Sequence, residues 1–246
     1  MSSLKYALII PARLASSRFD GKPLVNICGI PMIIRTYSQC IKACPAENVF
    51  VACDDERIKS VCEEFGINVI MTSSSCLTGT DRVAECVKHI DADTYINVQG
   101  DEPILNPSDI DVIIKNIIKY PSEILNGVCD IYDEKLFRSK NIPKVVMRED
   151  GRLLYMSRAA IPTNKQHNFV KSWRQICLYA FPKAALIEFS NQKDKTPLED
   201  MEDIEILRFL ELGWDVRMLA MSSDSVSVDV PGDIDRVEDA IKQRGL

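Results

Sequence analysis

Long apolar runs are missing: no stretch approaches the roughly 18 residues that a membrane-spanning helix needs, so none of the 246 residues calls for a bilayer. Positive charge does not dominate either. With 30 Lys and Arg against 36 Asp and Glu the formal charge is -6, which argues against non-specific nucleic-acid binding. An anionic substrate must then be drawn by cations gathered in one place. Histidine is nearly absent, and His89 and His167 form neither a metal cluster nor a base beside a nucleophile. The nine cysteines are an odd number without a CxxC pair. Metal sites need clustered thiolates and secreted frameworks need paired ones, so reduced, mostly buried thiols are expected. Residues 1–6 lack the charged start and apolar region of a leader, and the chain reads as cytoplasmic. Internal repeats and low-complexity segments are lacking as well.

What is present is an ordinary soluble composition, 46% hydrophobic and 27% charged, at a length suited to one large α/β domain or two small ones. The chain is organised around residues 8–25, LIIPARLASSRFDGKPLV. A short apolar run of strand type breaks at Pro11, and Arg13, Arg18 and Lys22 follow along a loop with Ser16, Ser17 and Gly21. Small residues let backbone N–H groups approach phosphate oxygens while cations offset charge, which suggests a triphosphate site. Neither standard nucleotide loop is present: Gly21-Lys22 is followed by Pro23, and there is no GxGxxG. Solvated loop cations are the competing reading.

After this loop, Pro31 starts a helical pattern through Ile33, Ile34, Tyr37 and Ile41. A strand is expected over 48–52, then a helix behind Asp54, Asp55 and Glu56 with Ile58, Val61, Cys62 and Phe65 on its apolar face. Gly66 stops that helix, and a third strand covers 68–71. This alternation is the rhythm of a parallel sheet with helices on its faces. A polar loop over 72–80 leads into a helix carrying Arg82 in its first turn, where a cation opposes the helix dipole. Either a bound anion or a carboxylate such as Glu85 compensates it. A fourth strand, 94–98, ends in Gln99-Gly100-Asp101-Glu102-Pro103, either an acidic turn or a Mg²⁺ site beyond a strand's carboxyl end. Ser108 is expected to cap the next helix, which stops before Pro121.

From Asn126 shorter strands follow at 127–131, 144–147, 153–156 and 176–181, with Asp150-Gly151 as a hairpin turn and 164–174 as a mobile loop. One helix is expected from Pro197 to Gly213, with Glu205 and Arg208 as pocket candidates beside its apolar stripe. Late strands at 215–220 and 226–228 lead to Asp229-Val230-Pro231 and a last helix over 233–244. Asp101 and Asp229, both at strand-to-loop switches, could hold one Mg²⁺ between them. With the cationic loop, that suggests nucleotidyl transfer, in which fixed cations stabilise charge on the phosphates.

The segments IIPARLASSRFDGKPL (9–24), TGTDR (78–82), NVQGDEP (97–103), SRAAIP (157–162), LYAF (178–181), PLE (197–199) and VDVP (228–231) occur in order. On these the chain resembles, over essentially its whole length, the 3-deoxy-manno-octulosonate (Kdo) cytidylyltransferases, or CMP-Kdo synthetases. The resemblance implies a Rossmann-like nucleotide-diphospho-sugar transferase fold: a mixed, mostly parallel sheet flanked by helices, with a nucleotide-binding half (1–125) and a hairpin-rich sugar-binding and dimerisation half (126–246). It implies transfer of CMP from CTP to a 2-keto-3-deoxy sugar acid with release of pyrophosphate, in a homodimer serving lipopolysaccharide or capsule precursors.

Carried over by residue, Arg13 and Lys22 bind the triphosphate, supported by Ser17 and Arg18. Ala12, Arg82 and Gln99 select cytosine, and Asp101 and Asp229 hold Mg²⁺. Arg158, Tyr179 and Glu205 fall where the family contacts its sugar. Two departures stand beside them: Gln175 where the family usually has His, and Ile206 where it usually has Gln. If both wall the sugar site, lost hydrogen bonds to hydroxyls point to an altered sugar acid, such as an amino-substituted or otherwise deoxygenated 2-keto acid; drift with Kdo retained is the plainer reading. A neuraminate or phosphonate cytidylyltransferase and a silent nucleotide-binding homologue are the remaining alternatives.

Overall fold

The computed structural model describes residues 4–16 and 19–245. The first strand, β1 (Tyr6–Ala12), is buried at every residue after Tyr6, as an unalternating apolar run covered on both faces requires. It runs through Pro11 instead of breaking there. Pro11 pairs in register with Ala52 on one side, while the ladder on the other side has already ended at Ile9 opposite Asn97. The Pro11 carbonyl points to that second side, so no ladder N–H is missed there.

A small hairpin, β2 (Asn26–Ile27) with β3 (Ile30–Pro31), precedes α1 (Met32–Cys40). Then β4 (Val49–Cys53), α2 (Glu56–Glu64), β5 (Asn68–Met71), α3 (Gly79–Cys86), β6 (Thr94–Val98) and α4 (Pro107–Lys119) alternate as the sequence pattern predicts. Asp55 caps α2, and Thr78 with Asp81 closes a capping box on α3. For α4 the cap is Asn106, not Ser108. Pro107 takes the first helical position, and the Ser108 N–H and hydroxyl both donate to Asn106 Oδ1.

The second half comprises β7 (Ile124–Ile131), α5 (Glu134–Arg138), β8 (Lys144–Met147), β9 (Leu153–Ser157), β10 (Ser172–Pro182), α6 (Lys183–Ser190), α7 (Pro197–Glu202), α8 (Ile206–Glu211), β11 (Val216–Ala220) and α9 (Asp233–Arg244). The single helix expected after Pro197 is two, because Asp203 takes left-handed backbone angles (φ 52°, ψ 51°) between α7 and α8. Residues 226–228 form no strand, and β10 begins at Ser172, inside the segment expected to be a loop.

The strands form one mixed sheet in the order β11-β7-β10-β6-β1-β4-β5, with β8 pairing β10 and β9 pairing β8. β1 is parallel to β4 and β6, β5 to β4, and β11 to β7, whereas β10 runs antiparallel between β6 and β7. One apolar cluster packs α1, α2 and α4 against one face. Another packs α3, α6 and α8 against the opposite face. All nine cysteines are free thiols, most of them buried, and burial pushes Cys62 and Cys86 up to about 12. Among the described residues no helix is long and apolar enough to cross a membrane.

Candidate active site at the ends of the central strands

The carboxyl ends of β1 and β6, neighbours in mid-sheet, open into a cavity of about 340 Å³, where ligands bind in open α/β sheets. Of the residues singled out from sequence, Ala12, Arg13, Lys22, Arg82, Gln99, Asp101 and Glu205 line it. Ser17 and Arg18 lie outside the described residues.

The loop after β1 is held by its backbone. Leu14 N–H donates to Asp54 Oδ1 (3.1 Å), Gly21 N–H donates to the Leu14 carbonyl (3.0 Å), and left-handed Gly21 leads into a 3₁₀ turn over Lys22–Leu24. Lys22 Nζ reaches Asp101 Oδ2 at 2.7 Å and the Val228 carbonyl at 2.9 Å. Arg13 is exposed at the rim.

Arg82, 2% exposed, is held by Asp54 Oδ2 (3.0 Å), by Thr72 Oγ1 and by the Ser73 carbonyl (3.3 Å). Its carboxylate partner is therefore Asp54 at the end of β4, not Glu85, which accepts from the Ser73 N–H (2.8 Å) and the Cys76 thiol (3.3 Å). Next to it α3 approaches β6 closely: a Cβ at Gly79 would stand 3.1 Å from the Gln99 amide. One strand end further, a Cβ at Gly100 would stand 2.7 Å from the Pro11 carbonyl oxygen.

The acidic side of the site is assembled by main chain. Val228 N–H donates to the Asp101 carbonyl (3.0 Å), which brings the Val228-Asp229 segment beside Asp101. Asp233 then accepts from the N–H groups of Asp229 (2.8 Å) and Val230 (3.0 Å). Asp229 is not among the residues lining the cavity. Among the described residues there is no group of three or more His, Cys, Asp or Glu placed to hold a metal. A two-carboxylate arrangement still suits Mg²⁺, which takes one or two carboxylates together with substrate phosphates and water.

Glu102, bonded by the Ser225 hydroxyl, is pushed up to about 7 by burial, with the neighbouring Asp101 charge adding to it. Its carboxyl is raised from 4.5, so between about pH 4.5 and 7 the folded chain holds a proton that the unfolded chain has lost. Stability accordingly falls as pH rises through that window. Glu102→Gln should raise the melting temperature by a few degrees near pH 8 and by nothing measurable near pH 5. Equal effects at both pH values would contradict this.

The sugar-side expectations divide. Glu205 lines the cavity, accepts from Thr80 N–H at the start of α3 (3.0 Å), and has its carboxyl pushed up by burial. Arg158 does not line it: its guanidinium holds the carbonyls of Glu202 (2.6 Å), Asp203 (2.8 Å) and Lys140 (3.2 Å) and so fixes the break between α7 and α8. Tyr179 stacks on Phe181 and is held well above the ordinary tyrosine range by burial and the adjacent Cys177 thiol; it is not among the lining residues.

Gln175 and Ile206 do not wall the cavity. Gln175 donates to Asn126 Oδ1 (2.9 Å), and Asn126 Nδ2 in turn donates to the Ile176 and Leu178 carbonyls, an amide chain inside the sheet. Ile206, 1% exposed, packs in the core beneath α8. Arg208 is a core residue as well, paired with Glu199. Three cavity or support residues were not picked out from sequence for these roles: Asp54, Lys195 and Asp203. Asp54 reads only as a helix-start acid, and the other two meet only because the chain breaks at Asp203.

The cytidylyltransferase family matches residues 7–218. A 3-deoxy-manno-octulosonate cytidylyltransferase of Geotalea daltonii is 38% identical, covering 98% of this chain and 100% of the relative. That of Myxococcus xanthus is 37% identical over the full length of both. A solved CMP:2-keto-3-deoxy-manno-octonic acid synthetase complexed with CTP superposes with a TM-score of 0.91 at 30% identity, covering 98% of this chain and 99% of that one. A Bacillus anthracis glucose-1-phosphate thymidylyltransferase, described as putative, shares the fold at a TM-score of 0.65 and 14% identity.

Proposed function

Because the chain belongs to the cytidylyltransferase family, we propose that it transfers CMP from CTP to the anomeric hydroxyl of a 2-keto-3-deoxy sugar acid, Kdo itself, and releases pyrophosphate. The observation that carries this is the gathering of Arg13, Lys22 and Asp101 in one cavity at the ends of β1 and β6, in a fold that superposes on a relative complexed with CTP. A triphosphate fits the loop because Lys22 and Arg13 supply positive charge where charge develops on the phosphates. The buried Arg82, fixed by Asp54, and the Gln99 amide beside Gly79 suit the hydrogen-bonding edge of cytosine.

Asp101, with Asp229 beside it, would hold Mg²⁺. The ion supplies charge neutralisation on the phosphates and a lowered pKa for the attacking hydroxyl, so no side-chain base is required. Lys22 pairs with Asp101 on the same carboxylate. With Gln175 and Ile206 turned into the protein, nothing about them argues for a modified sugar, which favours Kdo. The same reading makes the protein a homodimeric cytoplasmic enzyme of lipopolysaccharide or capsule precursor synthesis.

The test is pyrophosphate release with CTP and Mg²⁺ against Kdo, its 8-amino analogue, a neuraminate and another nonulosonate. Release with Kdo is expected. Release only with a neuraminate would overturn the acceptor assignment, and CTP binding without release would make the chain a silent homologue.

A further inference from the structure

Four cations stand among the described residues lining the cavity: Arg13, Lys22, Arg82 and Lys195. The first belongs to the loop assigned to the triphosphate. Lys22 is engaged by Asp101 and the Val228 carbonyl, and Arg82 by Asp54, Thr72 and Ser73. Lys195 stands apart from these in the chain and has a different partner. It precedes α7, and its ammonium sits 2.7 Å from Asp203 Oδ1.

The sheet order tells which wall this is. Asp54 and Arg82 belong to the β4 side. Asp203 is tied by its carbonyl to Arg158, just past the end of β9, and β9 joins the sheet through β8 and β10. Asp203 and the Lys195 paired with it therefore stand on the β10 side of the cavity, and Glu205, which accepts from Thr80 N–H, lies between them and α3. With the nucleotide along β1, β4 and β6, this wall is left for the acceptor.

An acceptor sugar acid brings a carboxylate that needs a cation. On the premise that the proposed reaction is correct, we propose that Lys195 is the specificity-determining residue that holds the acceptor's carboxylate, and that Asp203 is the place where it waits in the free protein. The exchange is inexpensive. The Asp203 side chain is 74% exposed and that of Lys195 27%, and an ion pair with one partner open to solvent contributes little, so Lys195 gives up little on leaving. Asp203 keeps a second cation: Arg158 Nη2 lies 3.7 Å from its other oxygen, so departure of Lys195 does not strand a carboxylate. The left-handed backbone of Asp203, pinned by Arg158, fixes the waiting position at the cavity mouth.

The test uses the full-length protein and steady-state pyrophosphate release, varying CTP and Kdo separately. Lys195→Met should raise KM for the sugar acid about 10- to 100-fold, the worth of one charge-assisted hydrogen bond, and leave KM for CTP and kcat within about threefold. Lys195→Arg should recover most of the loss. A rise in KM for CTP equal to that for the acid, or no change in either with an active wild type, would overturn the assignment. A wild type that turns over none of the acids would instead remove the reaction on which it rests.

Discussion

Replacing Lys22 by Met is expected to lower kcat/KM for CTP about 10²- to 10³-fold in the pyrophosphate-release assay. The 3₁₀ turn and Gly21 hold the lysine stem, and its ammonium is aimed between the Asp101 carboxylate and the Val228 carbonyl, so the cation is placed before any ligand arrives. A positioned cation of this kind acts on charge that grows during phosphoryl transfer, which is why its loss should appear in kcat as well as in binding. Lys22→Arg keeps the charge but not the compact fit to two oxygens, so partial activity is expected from it. A fall of less than about fivefold for Lys22→Met would separate this residue from the chemistry.

Arg208→Ala should cost about 3–5 kcal/mol of stability, the penalty for stranding a buried carboxylate, and lower the melting temperature by roughly 10 °C. The guanidinium is 1% exposed and grips Glu199 through two bonds, 2.5 and 2.7 Å long. It lies 3.6 Å from Asp81 in the capping box of α3 and 3.8 Å from the centre of the Phe189 ring. One side chain thus joins α8 to α7, α3 and α6. Removing both charges together, Arg208→Met with Glu199→Leu, should cost much less than the single change, because no fully buried charge is left alone: Asp81 keeps the Thr78 N–H and hydroxyl and is partly open to solvent. A double variant as unstable as the single one would show that shape, not charge, decides.

The first half of the chain was legible because its signals are local. Apolar runs, the acids at 54–56, and stops at Gly66 and before Pro121 set α1, β4, α2, β5, β6 and α4 within a residue or two. The β2–β3 hairpin and the Thr78 cap inside the expected 72–80 loop were not foreseen. The Asp150-Gly151 hairpin between β8 and β9 was legible too. What escaped the sequence depends on partners far along the chain. Pro11 stays in its strand only because the β6 ladder ends before it, and Arg82 finds Asp54 rather than the nearer Glu85.

The same limit applies to the acceptor side. Helical periodicity alone runs α7 and α8 together, and the break at Asp203 depends on Arg158, forty-five positions away. With the break unseen, Ile206 reads as a wall of the site although it points into the core. Gln175 likewise alternates on β10, but nothing local says that Asn126 will take its amide.

The antiparallel insertion of β10 carries a consequence for how the protein is made. Its two neighbours, β6 and β7, both leave the ribosome earlier and cannot pair with each other in the finished order. Until residues 172–182 emerge, β6 has an unpaired edge, and an open strand edge is where nascent chains associate wrongly. The strand that leads to Gln99 and Asp101 is therefore enclosed only once β10 has arrived. A chain halted before Ser172 would have every residue of the triphosphate loop and still no rigid floor beneath it.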